Sequence, residues 1–194
     1  MKTVRSLFTP SALAGLAVFG FLLSEAHAAP KPTILIDFTD SHREMNGTVS
    51  HEYDYAWGDW GDGHVIDLNG KGTLIKAASG KGGLGENKTA VRLHRSSAID
   101  FIYVIGNANK AAAINFAVTD DDGTEFQWTI PLAGKTAGQM LLQRLDLSKP
   151  DSTPNAGKTP GLDRKHVASW QVRGDFQTSQ VEVLLVKVGT LVGE

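Results

Sequence analysis

Beyond the first thirty residues, apolar and polar side chains alternate with a period of two. That period is the mark of half-buried antiparallel strands, in which successive side chains point to opposite faces. Segment 124–131 puts Phe126, Trp128 and Ile130 in one phase and Glu125, Gln127 and Thr129 in the other. Segment 112–119 does the same with Ile114, Phe116 and Val118, and 167–173 with Ala168, Trp170 and Val172. Further strands are expected at 33–38, 72–77, 89–95, 99–105, 140–147 and 180–188. In 89–95, Val91 and Leu93 alternate with Arg92 and His94. Turn signals stand between these runs. Asp120-Asp121-Asp122-Gly123 reads as a hairpin, 79–85 as a flexible Gly-rich loop, and 149–164, with three prolines, as a long irregular connection. No stretch past residue 30 carries a helical apolar stripe. About nine strands at this spacing predict a single all-β antiparallel sandwich.

The first 28 residues are set apart. Lys2 and Arg5 form a positive start, 13–23 is apolar, and Ala26-His27-Ala28 is a small-x-small cleavage signal. This is the layout of a secretory signal peptide. The expectation is therefore a leader at 1–28, one domain at 29–194, and a secreted or periplasmic product with no membrane span in its mature form. Absence of Cys excludes a disulfide framework, a thiolate metal site and a cysteine nucleophile. A formal net charge of −2 argues against nucleic acid as a partner.

Catalytic signatures are sparse. Gly134-Lys135-Thr136 and Gly157-Lys158-Thr159 lack the upstream Gly of a phosphate-binding loop, since Ile130 and Thr153 stand there. The histidines past the leader are scattered without metal-ligand spacing, and no close array of Glu and Asp marks a strand. The unusual segment is 53–64, where Tyr53, Tyr55, Trp57 and Trp60 are separated by Asp and Gly. Aromatic rings on a Gly-rich loop suit the apolar C–H faces of sugars, and Asp59, Asp62 and His64 would supply hydrogen bonds at the rim. Arg92, His94, Gln127 and Arg173 stand in the outward phase of their strands. They would join the site if their sheet face adjoins the aromatic loop. Trp128 and Trp170, in the apolar phase, are expected in the core.

The order of motifs points further. Ile36-Asp37-Phe38 comes first, then Ala90-Val91-Arg92-Leu93, then Ile114 to Asp120 and Phe126 to Leu132. Leu145-Asp146-Leu147-Ser148 and Leu162 to Val167 follow. This order resembles the galactose-binding-domain-like jelly rolls used as carbohydrate-binding modules beside secreted polysaccharide-degrading enzymes, agarase-type glycoside hydrolases included. The resemblance spans about residues 33 to 190. It implies a jelly-roll sandwich and a polysaccharide or oligosaccharide ligand, without catalysis by this chain. It also carries Asp37 over to a structural calcium site; no other cofactor is expected. Two departures stand out. Gln139-Met140-Leu141 replaces a common Trp, and Val183 to Val188 lacks the acidic pair that often completes the calcium site. Two other readings remain: a small sandwich-fold glycoside hydrolase or polysaccharide lyase, with Tyr103 and His94 as an acid–base pair, and a structural envelope protein that binds another protein.

Overall fold

Two six-stranded antiparallel sheets pack face to face. The computed structural model describes residues 32–40, 53–61, 63–68, 70–89, 91–94, 96–157, 160–175 and 177–191. Among them are twelve strands and no helix. In chain order they are β1 (Pro32–Asp37), β2 (Tyr55–Gly58), β3 (Val65–Leu68), β4 (Gly72–Ala77), β5 (Gly82–Asn87) and β6 (Ala98–Ile105). Then come β7 (Ala113–Asp120), β8 (Glu125–Pro131), β9 (Met140–Asp146), β10 (Ser152–Asn155), β11 (Val167–Gly174) and β12 (Val181–Leu191). One sheet runs β3-β4-β12-β6-β9, with β1 also paired to β12. The other runs β10-β8-β7-β11-β5-β2. The first will be called the β6 sheet and the second the β7 sheet. The all-β antiparallel sandwich expected from the alternation is the architecture observed, in the jelly-roll class that the resemblance implied.

Alternation builds the core. In β8 Phe126, Trp128 and Ile130 are buried, and in β6 Ile99, Phe101, Tyr103 and Ile105 are buried. These inward rows meet in the middle. Phe101 packs against Phe116 with ring centroids 5.8 Å apart, and Phe38 meets Trp170 edge-on at 5.7 Å. Each such ring contributes about 1.5–3 kcal/mol by leaving water. Two of the three buried indole N–H groups are paired, and that of Trp60 has no hydrogen-bond partner. Trp128 Nε1 donates to the Asp146 carbonyl at 2.8 Å, and Trp170 Nε1 to Glu86 Oε2 at 2.8 Å. Both residues lie in the core, as their phase indicated.

The strands at 33–38, 72–77, 99–105, 112–119, 124–131, 140–147 and 167–173 are present within a residue at each end, and the one at 180–188 runs three residues further, to Leu191. The hairpin at Asp120–Gly123 is closed by Gly123 N donating to the Asp120 carbonyl at 3.0 Å. Segment 89–95 is a correction, because its described residues form no strand. There Arg92 Nη1 donates to the Thr89 and Val91 carbonyls, at 3.3 and 2.9 Å, and occupies acceptors that a ladder would use. Segment 79–85 is the converse. Its second half is β5, an interior strand of the β7 sheet. Part of the aromatic segment is also strand, namely β2, and β10 interrupts the long connection. No described helix is long and apolar enough to cross a membrane.

Candidate functional site

The outer face of the β7 sheet is assembled by register. Tyr55 pairs with Gly85, Gly85 with Gln171, Gln171 with Ala117, and Ala117 with Gln127. The next row reads Trp57, Gly83, Arg173, Asn115, Thr129. Side chains in one row share a face, so two aromatic residues on the edge strand look across two glycines at a polar bank.

The glycines let the rings lie down. A Cβ at Gly83 would sit 2.7 Å from Trp57 Nε1 and 3.0 Å from Arg173 Cβ. One at Gly85 would sit 2.9 Å from the Tyr55 hydroxyl and 2.3 Å from the Trp170 carbonyl oxygen. Only a residue without a side chain fits beneath these groups. Trp57 keeps 39% of its surface exposed, which leaves ring area for a ligand. Tyr55 is half-buried. Burial raises its hydroxyl pKa above 10.0, against the lowering effect of a hydrogen bond with Gln171. The phenol therefore stays protonated as a neutral donor.

Opposite the rings, Arg173 organises the polar bank. Its Nη1 and Nη2 donate to Glu125 Oε2 and Oε1 at 3.1 and 2.5 Å. Its Nε and Nη2 also donate to Gln127 Oε1, at 3.1 and 2.6 Å. The planar guanidinium thus fixes a carboxylate and an amide at once. The ion pair is largely sheltered, with 20% and 15% of the two side chains exposed. A cleft of about 350 Å³ opens here, lined by Trp57, Asn115, Gln127, Pro154, Arg173, Gly174 and Asp175. Beside it, Asp151 Oδ2 accepts from the Thr129 backbone at 2.6 Å. The arrangement offers one flat apolar ring, amide donors and acceptors, and a charge pair neutral in sum.

Of the residues singled out in the sequence, Tyr55, Trp57, Gln127 and Arg173 come together on this face. Trp60 is a correction. It is wholly buried in the core, so no ligand can stack on it. It stands in the turn after β2, where the chain leaves the β7 sheet, and plugs that end. Tyr53 is half-buried and packs against the core. Asp59 accepts from the Ser79 hydroxyl. His64 lies beside the other sheet, its Nδ1 3.1 Å from the Lys76 carbonyl. Arg92 and His94 sit on the connection between β5 and β6, off the β7 sheet, and Asp62 lies outside the described residues. Tyr103 is buried, its hydroxyl donating to the Pro131 carbonyl at 3.1 Å, so it cannot pair with the exposed His94.

Asp37, the position carried over to a calcium site, has other partners. It accepts from Thr39 N and Oγ1 at 3.0 and 2.6 Å, and Lys187 Nζ stands 3.3 Å from Oδ2. Burial pushes its pKa up, but the bonds from Thr39 and Lys187 outweigh burial and hold it below 3.8. An ammonium group thus faces Asp37 from the last strand. No cluster of three His, Asp or Glu able to hold a metal ion occurs among the described residues.

Glu125, Gln171 and Asn115 belong to the site, and the alternation in β7, β8 and β11 placed them outward. Gly83 and Gly85 were hidden, although they too alternate with Leu84 and Glu86.

The fold is that of known jelly-roll carbohydrate-binding modules. The family 11 carbohydrate-binding module of the cellulosomal cellulase Lic26A-Cel5E of Clostridium thermocellum superposes with a TM-score of 0.53 at 13% identity. The match covers 86% of this chain and 97% of that one. A family 11 module of the same organism, in complex with a β-1,3-1,4-mixed-linked tetrasaccharide, gives 0.53 and 13% over 86% of this chain and 98% of that one. An agarase matches with a TM-score of 0.45 at 11% identity, over 81% of this chain and 26% of the other. No family model and no curated protein matches the chain in sequence.

Proposed function

We propose that this chain is a carbohydrate-binding protein. The outer face of the β7 sheet takes a polysaccharide or oligosaccharide, and the leader at 1–28 directs the protein out of the cytoplasm. The observation that carries the reading is the Trp57 ring, exposed over Gly83 and facing the Arg173–Glu125–Gln127 bank. A pyranose stacks its C–H face on the indole and turns its hydroxyls toward Gln127, Asn115 and Asp175. The shared fold of the two family 11 modules, one of them holding a tetrasaccharide, supports the reading. Binding rather than bond cleavage is favoured by the state of Glu125, whose two oxygens are both engaged by Arg173. A carboxyl so held is poorly placed to deliver a proton to a glycosidic oxygen.

The test is depletion from solution by insoluble agarose, alginate, cellulose, xylan, mixed-linked β-glucan and chitin, with reducing ends assayed in each supernatant. Retention on a polymer is expected for the wild type. It should fall at least about tenfold in affinity for Trp57→Ala, as loss of a stacking contact worth about 1.4 kcal/mol would give. Retention that survives Trp57→Ala would move the site elsewhere. Release of reducing ends would replace the binding reading with an enzymatic one.

A further inference from the structure

The opposite side of the sandwich carries a second surface. On the outer face of the β6 sheet, register joins Ile66 to Leu74, Leu74 to Leu184, Leu184 to Val104, and Val104 to Met140. An apolar row therefore crosses all five strands from β3 to β9. Ile102 and Leu142, paired with each other, begin a second row beside it. Four large hydrophobic residues are exposed among the described residues. Trp57 is one, and the other three are Ile66, Met140 and Leu142 at 41%, 69% and 60%, all in this band.

The charges around the band cancel in pairs. Lys76 Nζ lies 3.7 Å from Glu182 Oε1, Arg144 Nε 2.8 Å from Asp100 Oδ1, and Lys187 Nζ 3.3 Å from Asp37 Oδ2. Lys187 pairs with Ile102 and so continues the second row on the central strand, where Asp37 neutralises it; a face whose charges are matched in this way has nothing to steer a charged partner. It does meet the requirement of an isologous two-fold contact, in which a patch must tolerate its own copy. Of the four rows from Lys76–Glu182 to Asp100–Arg144 only the Leu74–Leu184 row spans all five strands, so the face covers roughly 500 Å² per protomer. Two copies would bury about 1,000 Å², below the roughly 1,200 Å² of a stable interface and in the range of weak, transient contacts.

We propose that two copies of this chain associate through the outer faces of their β6 sheets, in a weak, concentration-dependent dimer. The two β7-sheet clefts then face away from each other. If the glycan reading holds, such a dimer grips neighbouring chains of one polymer and gains avidity.

Sedimentation velocity over a wide concentration series tests this on the chain without its leader. Wild type is expected to shift from monomer to dimer. Ile66→Lys and Leu142→Glu, at opposite ends of the band, should each raise the dimer dissociation constant at least about tenfold. Their thermal melts should stay unchanged, because these side chains are exposed in the monomer. Trp57→Ala should dimerise as wild type does. A wild type that remains monomeric at the highest concentration overturns the proposal. So does a dimer that Trp57→Ala abolishes. A dimer lost in Leu142→Glu but kept in Ile66→Lys also overturns it, in favour of pairing along the β9 edge. Glycan binding is read separately, so its failure leaves the association result standing.

Discussion

The two outer faces of the sandwich are built from the same alternation and end differently. On the β7 sheet the outward phase holds Arg173 bonded to Glu125, Gln127 and Gln171, with Asn115 next to it in register, beside rings that lie on glycines. On the β6 sheet the outward phase is largely aliphatic, and its charges pair at the margin. The first face is specific because every group has one position. The second is apolar area with few directional groups. A substitution on the first should therefore disturb the fold or the ligand, and one at an exposed aliphatic residue of the second should disturb neither.

The largest expected effect breaks the glycine seat beneath the Tyr55 ring. Gly85→Val drives a branched side chain against the Trp170 carbonyl and the Tyr55 hydroxyl. It should cost about 3 kcal/mol or more in a urea titration, at the upper end for overpacking. On the other face, Leu142→Glu should stay within about 0.5 kcal/mol of wild type, and a comparable loss there would erase the contrast. Next is Glu125→Ala, which leaves the Arg173 guanidinium without its carboxylate. A stability loss of about 1–2 kcal/mol is expected, reduced from the fully buried case because a fifth of Arg173 is exposed. Glycan affinity should fall with it, since Gln127 loses its fixed neighbour. Equal stability with intact affinity would show the bank to be incidental.

The smallest effect concerns the Asp37–Lys187 ion pair, which continues the second row of the β6 sheet. The folded protein holds the Asp37 pKa below its ordinary 3.8: burial raises it, and Thr39 and Lys187 lower it by more. A lowered carboxyl pKa stabilises the fold above the unfolded value, and that stability is lost as pH falls through the folded value. Lys187→Met should accordingly cost about 0.5–1 kcal/mol near neutrality, with the difference from wild type closing as pH falls below 3.8 and through the folded value. A difference that persists in acid would point to packing rather than to the ion pair.

The fold was legible wherever large side chains alternate. β7, β8 and β11 announce both their strand character and their buried phase through Phe116, Trp128 and Trp170. β5 was not legible, because Gly82, Gly83 and Gly85 carry no pattern that propensity can read. The strand is imposed by β11 and β2 on either side. The two glycines beneath the rings, Gly83 and Gly85, were invisible in the site for the same reason. Segment 89–95 failed in the opposite way, alternating correctly while its backbone acceptors were taken by Arg92. Trp57 and Trp60 stand three residues apart in one Gly-rich segment, and nothing local separates them. Only the turn after β2 decides that one lies over the cleft and the other in the core.

That difference gives the most direct measurement. The chain has four tryptophans, at 57, 60, 128 and 170, and three of them are buried. In a ¹⁵N-labelled protein each contributes one indole N–H resonance, assigned by Trp→Phe substitution. The glycan is the soluble oligosaccharide of whichever polymer retains the protein. Titration with it should move the Trp57 resonance in a saturable way and leave those of Trp60, Trp128 and Trp170 in place. A saturable shift that spares Trp57 would contradict the account.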